Sequence, residues 1–107
     1  MAAVRAVTDD SFAADVLRNP RPVIVECWAQ WCPPCRMLAP VLEEIAHEHA
    51  EAIDVVSIDT DENPLTAQKY GVLAVPTVIV FSGGGVVRQL LGARPKSALL
   101  REFAEFL

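Results

Sequence analysis

Strand-like and helix-like patterns of hydrophobic residues alternate along this chain. Residues 23–28 are apolar on both faces except for Glu26, which is typical of a strand covered by helices on both sides. Residues 53–58 predict a second central strand. Residues 77–81 and 86–91 predict two more strands, joined by the glycine-rich connection 82–85. A first short strand is predicted at residues 3–7.

Four helices are predicted between and after these strands. The longest covers residues 33–49, where apolar side chains recur at helical spacing and Pro40 is expected to introduce a kink. A first helix follows the N-cap residues 8–11, and Asn63 with Pro64 opens a short helix that ends at Gly71. The last helix begins near residues 95–97 and is expected to bury four side chains, those of Leu99, Leu100, Phe103 and Phe106.

This order of elements predicts an α/β fold. Early parallel pairing and a late hairpin imply a central mixed five-stranded sheet flanked by four helices. The length of 107 residues favours a single domain spanning residues 1–107.

Composition and charge remove several classes of protein. Hydrophobic residues make up 52% of the chain, so intrinsic disorder is excluded. The net charge of −5 argues against nucleic-acid binding, since nothing here could neutralise a row of phosphates. Apolar stretches are too short for a membrane helix, and residues 1–10 do not resemble a signal peptide. We therefore expect a cytoplasmic protein.

Two of the three cysteines form the strongest chemical motif. Cys32 and Cys35 enclose Pro33 and Pro34 at the predicted start of the long helix. Residues three apart at a helix start lie ~5–6 Å apart at Cβ, close to the separation in a disulfide. Cys32 at the N-cap is favoured as a thiolate by the helix dipole, whereas Cys35 is expected to keep its proton longer. One activated and one protected thiol suit disulfide exchange.

A zinc site or a purely structural disulfide fits this motif less well. Zinc needs further ligands, and no second cysteine pair exists; His47 and His49 lie too far along the helix. We therefore expect no metal. A structural disulfide would be unusual in a cytoplasmic chain with an adequate core. A C-x-x-C motif in a βαβ context indicates redox chemistry.

The chain resembles the thioredoxin family over essentially its whole length. The matching stretches, in order along the sequence, are residues 8–12, 28–29, Trp31 with Cys32, Pro34 with Cys35, Met37 with 39–40, Asp61 with 63–64, 69–72, 75–77 and 92–93. The resemblance implies that Cys32 is an exposed nucleophile and Cys35 a buried resolving thiol. It also implies a cis peptide bond at Val75–Pro76.

The same resemblance implies partners and a binding surface. An apolar surface for substrates is expected around Cys32, formed by Trp31, Pro34, Val75, Pro76, Gly92 and Ala93. Family members accept electrons from an NADPH-dependent flavoprotein, thioredoxin reductase, and pass them to protein disulfides. The resemblance implies no cofactor other than the redox-active disulfide, and a monomer is expected.

Four positions depart from the usual family pattern. Glu26 replaces a buried aspartate, and its isolation on an apolar strand predicts a raised pKa and a role in deprotonating Cys35. Ser57 replaces a lysine, which removes a positive neighbour. Pro33 replaces a glycine, with opposing effects on the redox potential. Cys27 replaces an aromatic residue; a buried, inert thiol is the first interpretation and a regulatory thiol the alternative.

Three functions fit these observations. A general protein-disulfide reductase is the first choice, because both thiols are present and residues 1–10 do not resemble the leader expected for an oxidising compartment. A dedicated oxidant or isomerase uses the same chemistry but needs such a compartment. A binding module with vestigial redox function would most simply have lost one of the two cysteines.

Overall fold

One mixed sheet crosses the molecule in the computed structural model, which describes residues 3–107. Its strands are β1 (Arg5–Ala6), β2 (Val23–Trp28), β3 (Asp54–Asp59), β4 (Thr77–Ser82) and β5 (Gly85–Leu91). They lie in the order β1-β3-β2-β4-β5. β3 is parallel to β1 and β2, whereas β4 is antiparallel to β2 and β5. The predicted mixed five-stranded sheet is confirmed.

Four helices pack around the sheet within residues 3–107. They are α1 (Ala13–Leu17, a short π-helical segment), α2 (Pro33–Glu48), α3 (Pro64–Lys69) and α4 (Lys96–Phe103), which a 3-10 turn, Ala104–Phe106, extends. Pro40 lies inside α2 as expected. Gly71 follows α3 with φ of +67°, a left-handed conformation that terminates helices. No helix among residues 3–107 combines the length and hydropathy needed to cross a membrane.

The sheet separates two hydrophobic cores, as the two-sided pattern of β2 predicts. Ile24 on one face of β2 packs with Leu42 of α2 and Leu99 of α4. Val25 and Cys27 on the other face pack with Phe12 and Phe81. Because β2 is central and covered on both sides, every residue from Val23 to Cys27 is buried, Glu26 included.

The first strand is shorter than predicted. Residues 3–7 were expected to be extended, but only Arg5 and Ala6 pair with β3 as strand residues. The backbone N–H groups of Ala3 and Val4 instead donate to the carboxylate of Glu43 on α2. A side chain forty residues away thus replaces strand pairing at this end.

The other helix and strand boundaries differ from the predicted ones by one or two residues. β3 begins at Asp54 rather than residue 53, and α2 ends at Glu48. In α4 only Leu99 and Phe103 are buried, whereas Leu100 and Phe106 are half-buried, so the prediction of four buried side chains is wrong. Leu100 and Phe106 pack against the rim of the core that Leu99 and Phe103 enter, so each keeps part of its surface exposed.

Asp9 caps α3 from a distance. Its carboxylate accepts the N–H groups of Leu65 (3.1 Å) and Thr66 (2.9 Å) in the first turn of α3. Asn63 is the N-cap residue, as predicted, but its side chain does not cap the helix. Slight burial raises the pKa of Asp9, while the hydrogen bonds from Thr66 and Leu65 lower it, and the net shift is downward.

We expect Asp9→Ala to lower the free energy of unfolding by about 0.5–1 kcal/mol at pH 7, the usual effect of losing a helix cap. The pKa of Asp9 is lower in the folded than in the unfolded state. Its stabilisation is therefore present above the unfolded pKa and is lost as pH falls through the folded value. Urea unfolding at pH 7 and pH 3 measures this, and Asp10→Ala is the matched control. An equal loss in both variants would contradict the capping role.

Candidate active site

Cys32 and Cys35 form a disulfide at the start of α2. Their Cα atoms are 5.3 Å apart, within the range that disulfides span without backbone movement. Cys32 is the N-cap residue, with extended backbone, and its Sγ accepts the N–H of Cys35 at 3.2 Å. The geometry places the sulfur of Cys32 at the positive end of the helix dipole, as the sequence predicts.

Because of the two intervening prolines, the Cys32 sulfur has a single nearby backbone N–H to accept, that of Cys35. A helix begins with four N–H groups that have no partner within the helix. Pro33 and Pro34 occupy the first two helical positions and have no N–H. The N–H of Cys35 is therefore the first donor available to the Cys32 sulfur, and it is the one that binds it. The positions of Pro33 and Pro34 in the turn agree with the sequence prediction.

Both cysteines are buried in the disulfide form. Each is 2% exposed, so the expectation of an exposed Cys32 is wrong for this state. The physical reason is close packing, since Ala29, Trp28 and Val75 cluster with the two cysteines. Accessibility of the whole residue does not distinguish Cys32 from Cys35; their positions on the helix do.

Val75 and Pro76 lie beside the disulfide, joined by a cis peptide bond. The resemblance implied this bond, and it is present. Gly92 donates its N–H to the carbonyl of Pro76 at 2.9 Å, which brings Gly92 and the exposed Ala93 next to this segment. Val75 and Gly92 are half-buried and Pro76 is buried, so the Gly92 bond joins the residue that follows β5 to the cis-proline segment.

Trp31 precedes Cys32 and is 67% exposed. Its indole Nε1 donates to the carboxylate of Asp61 at 2.8 Å, across thirty residues of chain. Sequence reasoning assigned no role to Asp61. An exposed indole N–H commonly finds an acceptor, but the sequence does not identify which carboxylate it meets. Asp61 thus fixes the orientation of an aromatic side chain adjacent to the disulfide.

Glu26 lies six residues before Cys32, on the face of β2 that also carries Trp28. It is 3% exposed, and its Oε2 has no hydrogen-bond partner among the described residues. Burial raises the pKa of Glu26 to about 7. Ser57 lies opposite Glu26 on β3 and supplies no positive charge. The predicted burial and raised pKa are confirmed.

A cavity of about 290 Å³ connects Glu26 with Cys35. Both residues line it, together with Ser57, and Arg36 and Glu43 border it as well. No ion pair to Glu26 forms within residues 3–107. The buried carboxyl group and the second cysteine thus line one common cavity.

Comparison with known proteins decides the family. The thioredoxin family model matches residues 3–105, nearly the whole chain. The chain belongs to the thioredoxin family. Thioredoxins are disulfide oxidoreductases, and the Cys32–Cys35 disulfide at the start of α2 provides the redox centre here.

Two thioredoxins and a bifunctional thioredoxin reductase/thioredoxin are among the proteins similar to this chain. A thioredoxin from Streptomyces clavuligerus is 54% identical over 98 residues, covering 92% of this chain and 91% of that protein. A thioredoxin from Mycolicibacterium smegmatis is 50% identical over 104 residues, covering 95% and 93%. A bifunctional thioredoxin reductase/thioredoxin from Mycobacterium leprae is 50% identical over 99 residues, which cover 92% of this chain and 22% of that protein.

No metal cluster accompanies the thioredoxin disulfide in the described part of the chain. Within residues 3–107, no group of three or more histidine, cysteine or acidic side chains is placed to hold a metal ion. His47 and His49 lie near the C-terminal end of α2, at the opposite end of the helix from Cys32.

Cys27 is separated from the thioredoxin disulfide by the sheet. It is 2% exposed and belongs to the core on the face of β2 opposite Glu26. Burial, and to a smaller extent the charge of Glu26, raises the pKa of the Cys27 thiol to about 12. These observations favour the inert thiol over the regulatory one.

We expect Cys27 to resist modification in the folded, oxidised protein. With a pKa of about 12, the thiolate fraction at pH 8 is on the order of 10⁻⁴, and burial excludes the reagent. Ellman's reagent should release no measurable thionitrobenzoate from the native protein in an hour. It should release one equivalent after unfolding in guanidinium chloride. One equivalent released within minutes under native conditions would instead support a regulatory thiol.

Proposed function

We propose that the chain reduces protein disulfides in two steps at Cys32 and Cys35. The thiolate of Cys32 attacks one sulfur of a target disulfide, forming a mixed disulfide and releasing the first target thiolate, which takes up a proton. The thiolate of Cys35 then attacks the Cys32 sulfur, forming the Cys32–Cys35 disulfide and releasing the second target thiol. Two electrons pass from the dithiol to the target. The observation that carries this proposal is the bond from the Cys35 N–H to the Cys32 sulfur at the helix start.

Glu26 is proposed as the base that accepts the proton of Cys35 in the second step. A buried thiol needs a proton acceptor to become a nucleophile. Glu26 and Cys35 line one cavity, and a pKa of about 7 allows the carboxyl group to take up and release protons at neutral pH. Ser57 leaves this pKa high because it brings no positive charge to the carboxylate.

Substrates are proposed to bind on a docking surface formed by Trp31, Pro34, Val75, Pro76, Gly92 and Ala93. Its residues are uncharged; Val75 packs against the two cysteines, and Gly92 is bonded to the neighbouring Pro76. The backbone N–H and C=O of Val75 form no hydrogen bond within residues 3–107, which leaves them available to an extended peptide. Main-chain pairing of this kind gives affinity without demanding a particular sequence.

The partners follow from the same chemistry. The proposed electron donor is thioredoxin reductase, an NADPH-dependent flavoprotein; in the Mycobacterium leprae protein the two activities are named together. We propose that residues 1–107 act as a single, monomeric domain in the cytoplasm, where the NADPH-dependent reductase keeps the dithiol reduced. The redox-active disulfide serves without metal or bound cofactor, and neither nucleic acid nor membrane is a partner.

Reductase-coupled reduction of insulin tests the proposed function. With NADPH and an actinobacterial thioredoxin reductase, the protein should consume one NADPH for each insulin disulfide reduced. A parallel assay with dithiothreitol in place of the reductase separates the dithiol's activity from the choice of reductase. Activity with dithiothreitol alone would overturn only the proposed donor. Inactivity in both assays would favour a binding module.

A further inference from the structure

A shallow groove of about 230 Å³ lies beside the docking surface. Its lining is uncharged throughout and consists of Gly71, Leu73, Ala74, Thr77, Gln89 and Leu91. Two leucines stand out among these residues, since Leu73 is 97% exposed and Leu91 63% exposed. Isolated exposed leucines are ordinary on proteins, but two that line one uncharged groove are a candidate binding site.

The groove is continuous with the docking surface. Val75 packs against the disulfide cysteines, and Leu73 precedes it by two residues. Leu91 is paired with Thr77 across β4 and β5, and the next residue, Gly92, is bonded to Pro76. A peptide segment bound at Val75 would therefore have this groove beside it.

Another exposed leucine borders a groove whose lining, unlike that of the groove at Leu73 and Leu91, is charged. Leu65 on α3 is 67% exposed and also borders a groove, but that groove carries the charged side chains of Asp9, Asp10 and Lys69. Leu65 also lies ten residues before Val75, whereas Leu73 lies two residues before it. Leu65 thus provides a matched comparison for Leu73.

We propose that the groove between Leu73 and Leu91 binds a branched apolar side chain of the disulfide-bearing partner, two residues from the partner's reactive cysteine. In an extended segment, residues two apart point to the same side and lie roughly 7 Å apart. This inference rests on the proposed function, and it adds a preference for leucine, isoleucine, valine or methionine at that partner position.

Peptide disulfides test the groove separately from the chemistry. The probes are symmetric disulfide dimers of short peptides with one cysteine and either leucine or serine two residues away, on both sides. Rate constants for their reduction are measured by tryptophan fluorescence with the pre-reduced protein. We expect the leucine peptide to react about 10-fold faster, as one apolar side chain in a pocket commonly allows.

The preference should fall below about 3-fold in Leu73→Ser and remain unchanged in Leu65→Ser. Circular dichroism checks that both variants are folded. Equal rates for the two peptides, or a preference that survives Leu73→Ser, would overturn the proposed role of the groove in binding the partner's side chain. Either result would leave the proposed function intact. Absence of reaction with every peptide would overturn both. Concentration-dependent dimerisation abolished by Leu73→Ser, without peptide preference, would assign the groove to a second copy of this chain instead.

Discussion

Cys32→Ser is expected to abolish disulfide reduction, whereas Cys35→Ser is expected to trap the substrate. A serine hydroxyl at position 32 cannot attack a disulfide at neutral pH, so insulin reduction should fall by about 1,000-fold or more. With serine at position 35 the first attack proceeds, but no thiol remains to release the target. Intact-protein mass spectrometry should then show a stable adduct joined through Cys32, in about one copy per chain.

Cys27→Ala is the matched control for both variants. Cys27 packs in the core on the other side of the sheet, and its removal should leave the rate of insulin reduction within about 2-fold of the original. Trapping by Cys32→Ser rather than by Cys35→Ser would reverse the assignment of the two cysteines. Loss of activity in Cys27→Ala would show that the third thiol takes part in the reaction.

Glu26→Gln is expected to stabilise the protein at high pH. The pKa of Glu26 is about 7 in the folded state and 4.5 for an unperturbed carboxyl group. Between these values the folded chain holds a proton that the unfolded chain has lost, so stability falls as pH rises from 4.5 to 7 and is constant above. The difference of about 2.5 pH units corresponds to about 3 kcal/mol. Glutamine carries no charge at either pH. The free energy of unfolding of Glu26→Gln should therefore exceed that of the original protein by about 3 kcal/mol at pH 8 and equal it at pH 4.

The same substitution is expected to slow the resolving step. Glutamine cannot accept the proton of Cys35, and loss of a general base commonly costs about 100-fold. Single-turnover decay of the mixed disulfide should slow by about 10- to 100-fold at pH 7 and lose its pH dependence near 7. Glu43→Gln, at the border of the same cavity, is the control. A stabilised Glu26→Gln variant with unchanged decay would assign Glu26 a structural effect only.

The local pattern of apolar and polar residues was sufficient to predict most of the fold and the chemistry of the site. The apolar run around Glu26 predicted a central strand, and an isolated carboxylate within it predicted a raised pKa. Helix-start geometry predicted the cysteine disulfide. The cis bond at Val75–Pro76 came from resemblance alone, because nothing in its residue types requires it.

The features that sequence could not provide are contacts between distant parts of the chain. Glu43 binds the backbone of Ala3 and Val4 and so shortens β1. Asp9 caps α3 from more than fifty residues away. Trp31 is held by Asp61. Each of these carboxylates looks like ordinary surface charge in the sequence, since only the folded chain brings it to its partner.

The equilibrium redox potential of the Cys32–Cys35 pair tests the central claim most directly. The protein is equilibrated in glutathione buffers of graded ratio, and the fraction with a Cys32–Cys35 disulfide is read by thiol trapping and peptide mapping. A disulfide reductase should have a potential more negative than about −240 mV, on the reducing side of the cellular glutathione pool. A value near about −120 mV, where dedicated oxidants lie, would contradict the account.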